Sequence, residues 1–252
     1  MLRVAFAGTF TSVDPATSYN SYLAQIQYAA CAKLLNYADA AGRRGTRLVP
    51  EVARTLPVVS RDRRTYTFAI RRGFRFADGR AVNAESFAAA INRILRPGVG
   101  SIARSYFADI VGARDVLEGR AESARGIRAG GGRLEIRLAH PAFDFPHRLA
   151  TQYACAVPAD YSPSARATAP PPGSGPYSIA EFDPARTLTL RRNPHYGGTR
   201  PRRWDEIVWS LRTPVDAVHL QVERGEADVG FPIAGTTEPS PRVCSSVSEA
   251  RK

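Results

Sequence analysis

Apolar and polar positions alternate most clearly between Thr65 and Leu95. Tyr66, Phe68 and Ile70 alternate with Thr67, Ala69 and Arg71, the period of a half-buried strand. Gly73 ends that run, and Phe74 and Phe76 extend the aromatic pattern beyond it. Asp78-Gly79 is a turn, because glycine takes positive φ at little cost. Asn83 then fits a helix N-cap, with Glu85 in the first turn, where the helix dipole favours an anion. Phe87, Ile91, Ile94 and Leu95 make one apolar helical stripe, and Pro97-Gly98 closes it.

The same reading assigns the rest of the chain. Leu2 to Ala7 is a strand, and Tyr19 to Asn36 a helix with Leu23, Ile26, Ala30 and Leu34 on its apolar side. Leu48 to Leu56 is short and broken by Pro50 and Pro57. Helices are expected around Ala103–Asp109 and Ala113–Glu118, a loop from Arg120 to Gly132, and strands over Leu134–Leu138 and Tyr153–Val157. Ser162 to Gly173 is an Ala- and Pro-rich exposed loop. A hairpin follows, with one strand ending near Phe182 and the other carrying Leu188 and Leu190. Ile207, Trp209 and Leu211 mark a further strand. Thr213 is placed as the N-cap of a helix that carries Val215, Val218 and Val222 and ends at Gly225, and Ala227 to Phe231 is one more strand. The fold class is α/β, in the mixed α+β sense.

Composition changes the picture at one point. Apolar residues make up 44% and charged residues 23%, ordinary values for a globular protein, but the formal charge is +12. Lys33 and Lys252 are the only lysines, so the excess is arginine, scattered and mostly in pairs such as Arg43-Arg44 and Arg71-Arg72. Neither a basic block nor a zinc-finger, RRM or helix-turn-helix signature accompanies it. A generally basic surface accounts for the charge better than a nucleic-acid-associated module does. No run approaches the length of a membrane-spanning helix.

Candidate chemistry is sparse. Cys31, Cys155 and Cys244 are too widely spaced for a CxxC metal site, and His140, His147, His195 and His219 lack metal-ligand spacing. Cys31 and Cys155 fit small buried apolar residues, and a bridge between them stays open if the chain is exported. GxSxG, HExxH and P-loop motifs are absent. Gly130-Gly131-Gly132 precedes a strand and fits a hairpin linker, not a phosphate cradle. No catalytic constellation, metal site or cofactor motif emerges.

The order of short motifs does carry a resemblance. Val13-Asp14-Pro15, Leu48-Val49-Pro50-Glu51-Val52-Ala53 and Tyr66-Thr67-Phe68 with Arg71 and Gly73 lead, followed by Phe76, Asp78-Gly79 and Ala84-Glu85. Ile110-Val111-Gly112-Ala113, Gly126-Ile127, Gly173-Ser174-Gly175-Pro176-Tyr177, Arg192-Asn193-Pro194-His195-Tyr196 and Gly225-Glu226-Ala227-Asp228 come next. In that order they resemble solute-binding protein family 5 of ABC transporters, the oligopeptide-, dipeptide- and nickel-binding group.

The resemblance implies a binding protein, not an enzyme: a periplasmic or cell-surface, monomeric carrier that holds a small solute, in the leading reading a peptide, and hands it to a membrane permease. It implies the first lobe of a type II periplasmic-binding-protein fold, with residues 1–45 and 143–234 as the ligand-facing domain and 46–142 as a smaller inserted domain. Residues 235–252 are polar and Ser/Pro-rich and do not follow the family. Compared with the family, an export signal and the second lobe are missing, so a truncated lobe or a gene fragment is expected, without tight capture by lobe closure. Ligand contacts are expected at Phe10, Thr11, Tyr19 and Tyr22, and around the hinge at Ser174 and Tyr177. Tyrosines suit the task because they join an apolar ring to a hydrogen-bonding tip.

Overall fold

A computed structural model of the chain describes residues 1–161 and 170–232. The chain divides into two units. The first comprises Met1–Ser12, Ile179–Arg192 and the chain from Pro201 onward; the second comprises Val13–Ser178 and Asn193–Arg200.

The first unit is built on a five-stranded sheet with order β11-β1-β10-β9-β8. Its strands are β1 (Leu2–Phe6), β8 (Tyr177–Asp183), β9 (Thr187–Arg192), β10 (Glu206–Ser210) and β11 (Val229–Phe231). β1 pairs in parallel with β10 and β11, whereas β9 and β10 are antiparallel. Helix α6 (Val215–Glu223) makes the crossover and packs Val218 against Ala5 and Ala227. Gly230 is required beneath it, since a Cβ there would lie 2.6 Å from a Val218 methyl. Trp209 stacks on Phe231 at 5.4 Å and meets Phe6 and Phe10 edge-on at 5.7 and 6.1 Å.

The second unit is organised by the segment that dominates the sequence pattern. A four-stranded antiparallel sheet, β4-β5-β7-β6, is formed from β4 (Val58–Val59), β5 (Thr65–Ala69), β6 (Ile127–Gly130) and β7 (Arg133–Arg137). Tyr66 pairs with Ile136 and Phe68 with Leu134, so the apolar alternation of both strands falls on one face. Helix α2 (Ala84–Leu95) covers that face with Phe87, Ile91, Ile94 and Leu95. Its N-terminus is closed reciprocally: Ser86 N donates to Asn83 Oδ1 at 3.0 Å, and Asn83 N donates to Ser86 Oγ at 3.3 Å. Helices α1 (Ser21–Ala30), α3 (Arg104–Phe107), α4 (Ala113–Leu117) and α5 (Phe145–Arg148), with the small sheet of β2 (Leu35–Tyr37) and β3 (Leu48–Pro50), complete the unit.

One core runs through this unit. Ala16, Leu34, Leu35, Phe145, Leu149 and Tyr196 join the same buried cluster as Phe68 and Ile91. The divisions expected at residues 45 and 143 therefore differ from the unit boundaries: 13–45 and 143–178 pack with 46–142. The tail expected at 235–252, and residues 162–169 of the expected Ala/Pro-rich loop, lie outside the described residues.

Several local expectations are corrected. The helix expected over Tyr19–Asn36 ends at Ala30, because distant groups take the donors that a longer helix would use. Ala32 N donates to Ser174 Oγ at 2.9 Å and Lys33 N to Glu51 Oε2 at 3.0 Å, while Leu34 O accepts from Glu51 N and Ala53 N. Tyr153–Val157 is not a strand; Gln152–Ala154 forms a 3-10 turn, and Ala156 N then donates to Ala32 O at 3.1 Å. The loop expected over Arg120–Gly132 contains β6. The N-cap of α6 is Pro214, and Thr213 Oγ1 instead donates to Ser210 O at 3.1 Å.

Candidate solute-binding cleft

An open cleft of about 790 Å³ lies in the second unit. One wall is a face of α1: Asn20, Ala24 and Tyr28, at helical i, i+4, i+8 spacing, line it. Asn20 is also the cap of that helix, its Oδ1 accepting from Leu23 N at 2.7 Å, so the wall starts at a fixed point. The opposite helix side buries Leu23, Ile26 and Ala30, which anchors it. Tyr19 stands just before the cap and is 77% exposed.

Tyr106 and Tyr153 form another wall, their rings edge-to-face at 5.8 Å. Arg148 holds the Tyr106 segment by donating to Tyr106 O at 3.1 Å and to Asp109 Oδ2 at 2.7 Å. Burial raises the Tyr153 hydroxyl pKa, with Tyr106 and Tyr19 close enough to add to the effect. Tyr37 bonds through its hydroxyl to His147 Nδ1 at 3.0 Å, and Asn36 and Asp39 complete that side. The lining thus carries five tyrosines, each an apolar ring with a polar tip.

Beneath the tyrosines lies a buried polar group. Glu51, 7% exposed in its side chain, pairs with Arg200 at 2.6 Å and accepts from Lys33 N and Asn36 Nδ2. The Arg200 guanidinium sits 4.8 Å over the Tyr28 ring and donates to the carbonyls of Tyr28 and Cys31. Lys33 is 7% exposed and donates from Nζ to Ala150 O at 2.6 Å. Burial lowers its pKa from 10.5 to about 8, partly opposed by Glu51 and reinforced by Arg200.

That shift has a measurable sign. Between pH 8 and 10.5 the unfolded chain holds the Lys33 proton more tightly than the folded one, so folding stability rises with pH across that window; below it the full penalty applies. The stability difference between wild type and Lys33→Met should therefore move in favour of wild type by about 3 kcal/mol from pH 7.5 to 10.5, read by urea unfolding. A difference that stays flat with pH would show that Lys33 keeps its ordinary pKa.

The sequence-derived contacts separate in the structure. Tyr19 lines the cleft. Tyr22 is half-buried on α1 and is not part of the lining. In the first unit, Phe10 is buried and stacks on Phe6 at 5.0 Å, whereas Thr11 is exposed. Ser174 and Tyr177 are buried, and the Ser174 hydroxyl accepts from Ala32 N. Gly175 beside it leaves no room for a side chain, because a Cβ would lie 2.5 Å from Ala29 O and Cys31 N. Asn193 locks this turn by donating to Gly175 O at 3.0 Å, so the Gly-Ser-Gly-Pro and Arg-Asn-Pro motifs meet. Tyr28, Tyr37, Tyr106 and Tyr153 lie outside the sequence-derived contacts and also line the cleft. Only Tyr28 left a signal in the sequence, as a polar-faced position in the register of Asn20 and Ala24.

Among the described residues, no group of three or more His, Cys, Asp or Glu converges as a metal site. No described helix is long and apolar enough to cross a membrane.

Comparison with known proteins agrees with this architecture. The chain is 24% identical over 236 residues to the probable D,D-dipeptide-binding periplasmic protein DdpA of Escherichia coli (strain K12), covering 91% of this chain and 42% of that protein. It is 24% identical to the dipeptide-binding protein DppE of Bacillus subtilis (strain 168), covering 88% and 41%. The solved clavulanic acid biosynthesis oligopeptide binding protein 2 superposes with a TM-score of 0.82 at 26% identity, covering 99% of this chain and 45% of that one. The chain thus spans less than half the length of the proteins it matches and shares the mixed α/β fold of type II periplasmic binding proteins. Residues 47–241 match the model of the bacterial extracellular solute-binding proteins, family 5, middle region, and the chain belongs to that family.

Proposed function

We propose that this chain supplies a solute-facing wall of the binding component of an ABC importer, and that its solute is a peptide. The observation that carries the reading is the cleft of five tyrosines, with Asn20, Asn36 and Gln152 among them. Aromatic rings cover peptide side chains of varied shape, while amide and hydroxyl groups satisfy a peptide backbone. The names of the relatives above, which are peptide- and dipeptide-binding proteins, support the same solute class. The role is capture and delivery to a membrane permease outside the cytoplasm, with no chemical step. Tyr22 stays a proposed contact with Tyr19 on the second unit, Phe10 and Thr11 stay proposed contacts on the first, and Ser174 and Tyr177 act by shaping the turn next to α1.

Calorimetric titration of the full chain with defined di- to pentapeptides tests this. Saturable binding is expected, with Tyr19→Ala and Tyr106→Ala each weakening it about tenfold, the effect of losing an exposed aromatic anchor. Their exposure makes both substitutions compatible with folding. Peptide binding that is unchanged in both variants would place the solute elsewhere.

A further inference from the structure

A second pocket of about 620 Å³ lies at the end of β5, and arginine dominates its lining. Arg54, Arg71, Arg72, Arg75 and Arg133 contribute to it, and no carboxylate does. The backbone around it is fixed: Ile70 N donates to Gly132 O at 2.8 Å, Arg54 N to Ala69 O at 2.8 Å and Val82 N to Phe74 O at 2.9 Å. The tip of the β6–β7 hairpin, Gly131-Gly132, forms one edge and carries no side chain to fill the space.

Among the described residues, no carboxylate pairs with the arginines of this pocket. Arg71 donates to Ala53 O at 3.0 Å and Arg75 to Gly79 O at 2.9 Å, contacts that orient the guanidinium groups without cancelling charge. The side chains of Arg54, Arg72 and Arg133 make no hydrogen bond or ion pair with any described residue. Elsewhere arginines do find acids, as in Arg93–Asp14, Arg148–Asp109 and Arg120–Asp115. Glu85, the acid closest in sequence to the α2 cap, is not part of the lining. Asn83, the cap of α2, completes the polar part of the lining. Several like charges around one concavity repel one another until an anion enters, and planar guanidinium forks match phosphate oxygens two at a time.

We propose that this arginine pocket is a binding site for a compact, anionic phosphate group, separate from the tyrosine cleft. Its volume fits a small phosphorylated molecule or a lipid headgroup. The hairpin glycines, which in sequence are only a linker, serve here by leaving the pocket open.

The test titrates the full chain with inorganic pyrophosphate by calorimetry and, separately, with vesicles of phosphatidylglycerol or phosphatidylcholine. One saturable anion site is expected, weakened at least about tenfold in Arg72→Ala/Arg133→Ala, which corresponds to the loss of charge-assisted hydrogen bonds. Arg43→Ala/Arg44→Ala, which removes the same charge from an exposed turn, should bind as wild type does. Binding of pyrophosphate identifies a soluble phosphate; Arg72- and Arg133-dependent binding of phosphatidylglycerol vesicles alone identifies a headgroup. Equal weakening in the two double variants, or no binding of either probe, overturns the proposal. Arg72→Gln/Arg133→Gln, checked by circular dichroism, decides the matter if the alanine variant fails to fold.

Discussion

Asp14→Ala should lower the unfolding free energy by about 3–5 kcal/mol, and Arg93→Ala by a similar amount, because each strands the opposite charge in the core. The pair links the segment before α1 to the last turn of α2. Arg93 Nη1 donates to Asp14 Oδ1 at 2.7 Å and a second bond joins Nη2 to Oδ2, with side chains only 4% and 8% exposed. Asp14 also turns the chain, its Oδ1 accepting from Ala16 N at 2.9 Å, and the Arg93 guanidinium lies 4.9 Å over the Tyr161 ring. A surface pair of the same geometry would contribute about 1 kcal/mol or less. Urea unfolding of both single variants and of Asp14→Ala/Arg93→Ala separates the cases. The double variant should lose clearly less than the sum of the singles, since removing both charges leaves none unpaired. Strict additivity, or single losses near 1 kcal/mol, would mean that the pair is solvated.

This pair also marks where the sequence stops being legible. Val13-Asp14-Pro15 is recognisable as a motif, but nothing local says that its carboxylate meets Arg93, since their separation of 79 residues leaves no periodic trace. Local rules work where the partners are near in sequence. The Thr65–Leu95 strand, turn and capped helix form as their alternation and cap residues dictate. They fail at Cys31, where a helical pattern that continues to Leu34 is overridden by Ser174 and Glu51 claiming the backbone donors. The candidate site divides in the same way. Tyr19 is reached through the family resemblance, which places contacts near the start of the first helix, whereas Tyr106 and Tyr153 reach the cleft from distant segments and meet only in the folded unit. Ser174 lies in a recognisable motif whose hydroxyl is committed to Ala32 N. The arginine excess was visible as composition, but its concentration around one pocket depends on β5, the β6–β7 hairpin and the α2 cap coming together.

The same junction yields the second large expected effect. Cys31 and Cys155 are disulfide-bonded, with Cα atoms 5.5 Å apart at a sequence separation of 124. Closing so long a loop removes much of the freedom of the unfolded chain, and Cys31→Ala/Cys155→Ala should lower stability by about 2–5 kcal/mol. The bond also holds α1's end against the segment after the 3-10 turn, where Ala156 N donates to Ala32 O, directly behind the Tyr28 and Tyr153 walls of the cleft. Reduction of the wild type should produce the same loss, whereas the double alanine variant should be indifferent to reductant. Both cysteines are buried, 1% and 5% exposed, so a reductant reaches the bond only through opening of the fold and reduction should be slow under native conditions. Thiol titration in denaturant after refolding in a glutathione redox buffer provides the control: Cys244 alone should react before reduction, and all three cysteines of the sequence after it. Three reactive thiols in the oxidised preparation, or equal stability of wild type and variant, would sink the assignment. A bond of this kind persists in an oxidising compartment, so its presence in protein recovered from the native host would also favour the extracellular role proposed for the tyrosine cleft.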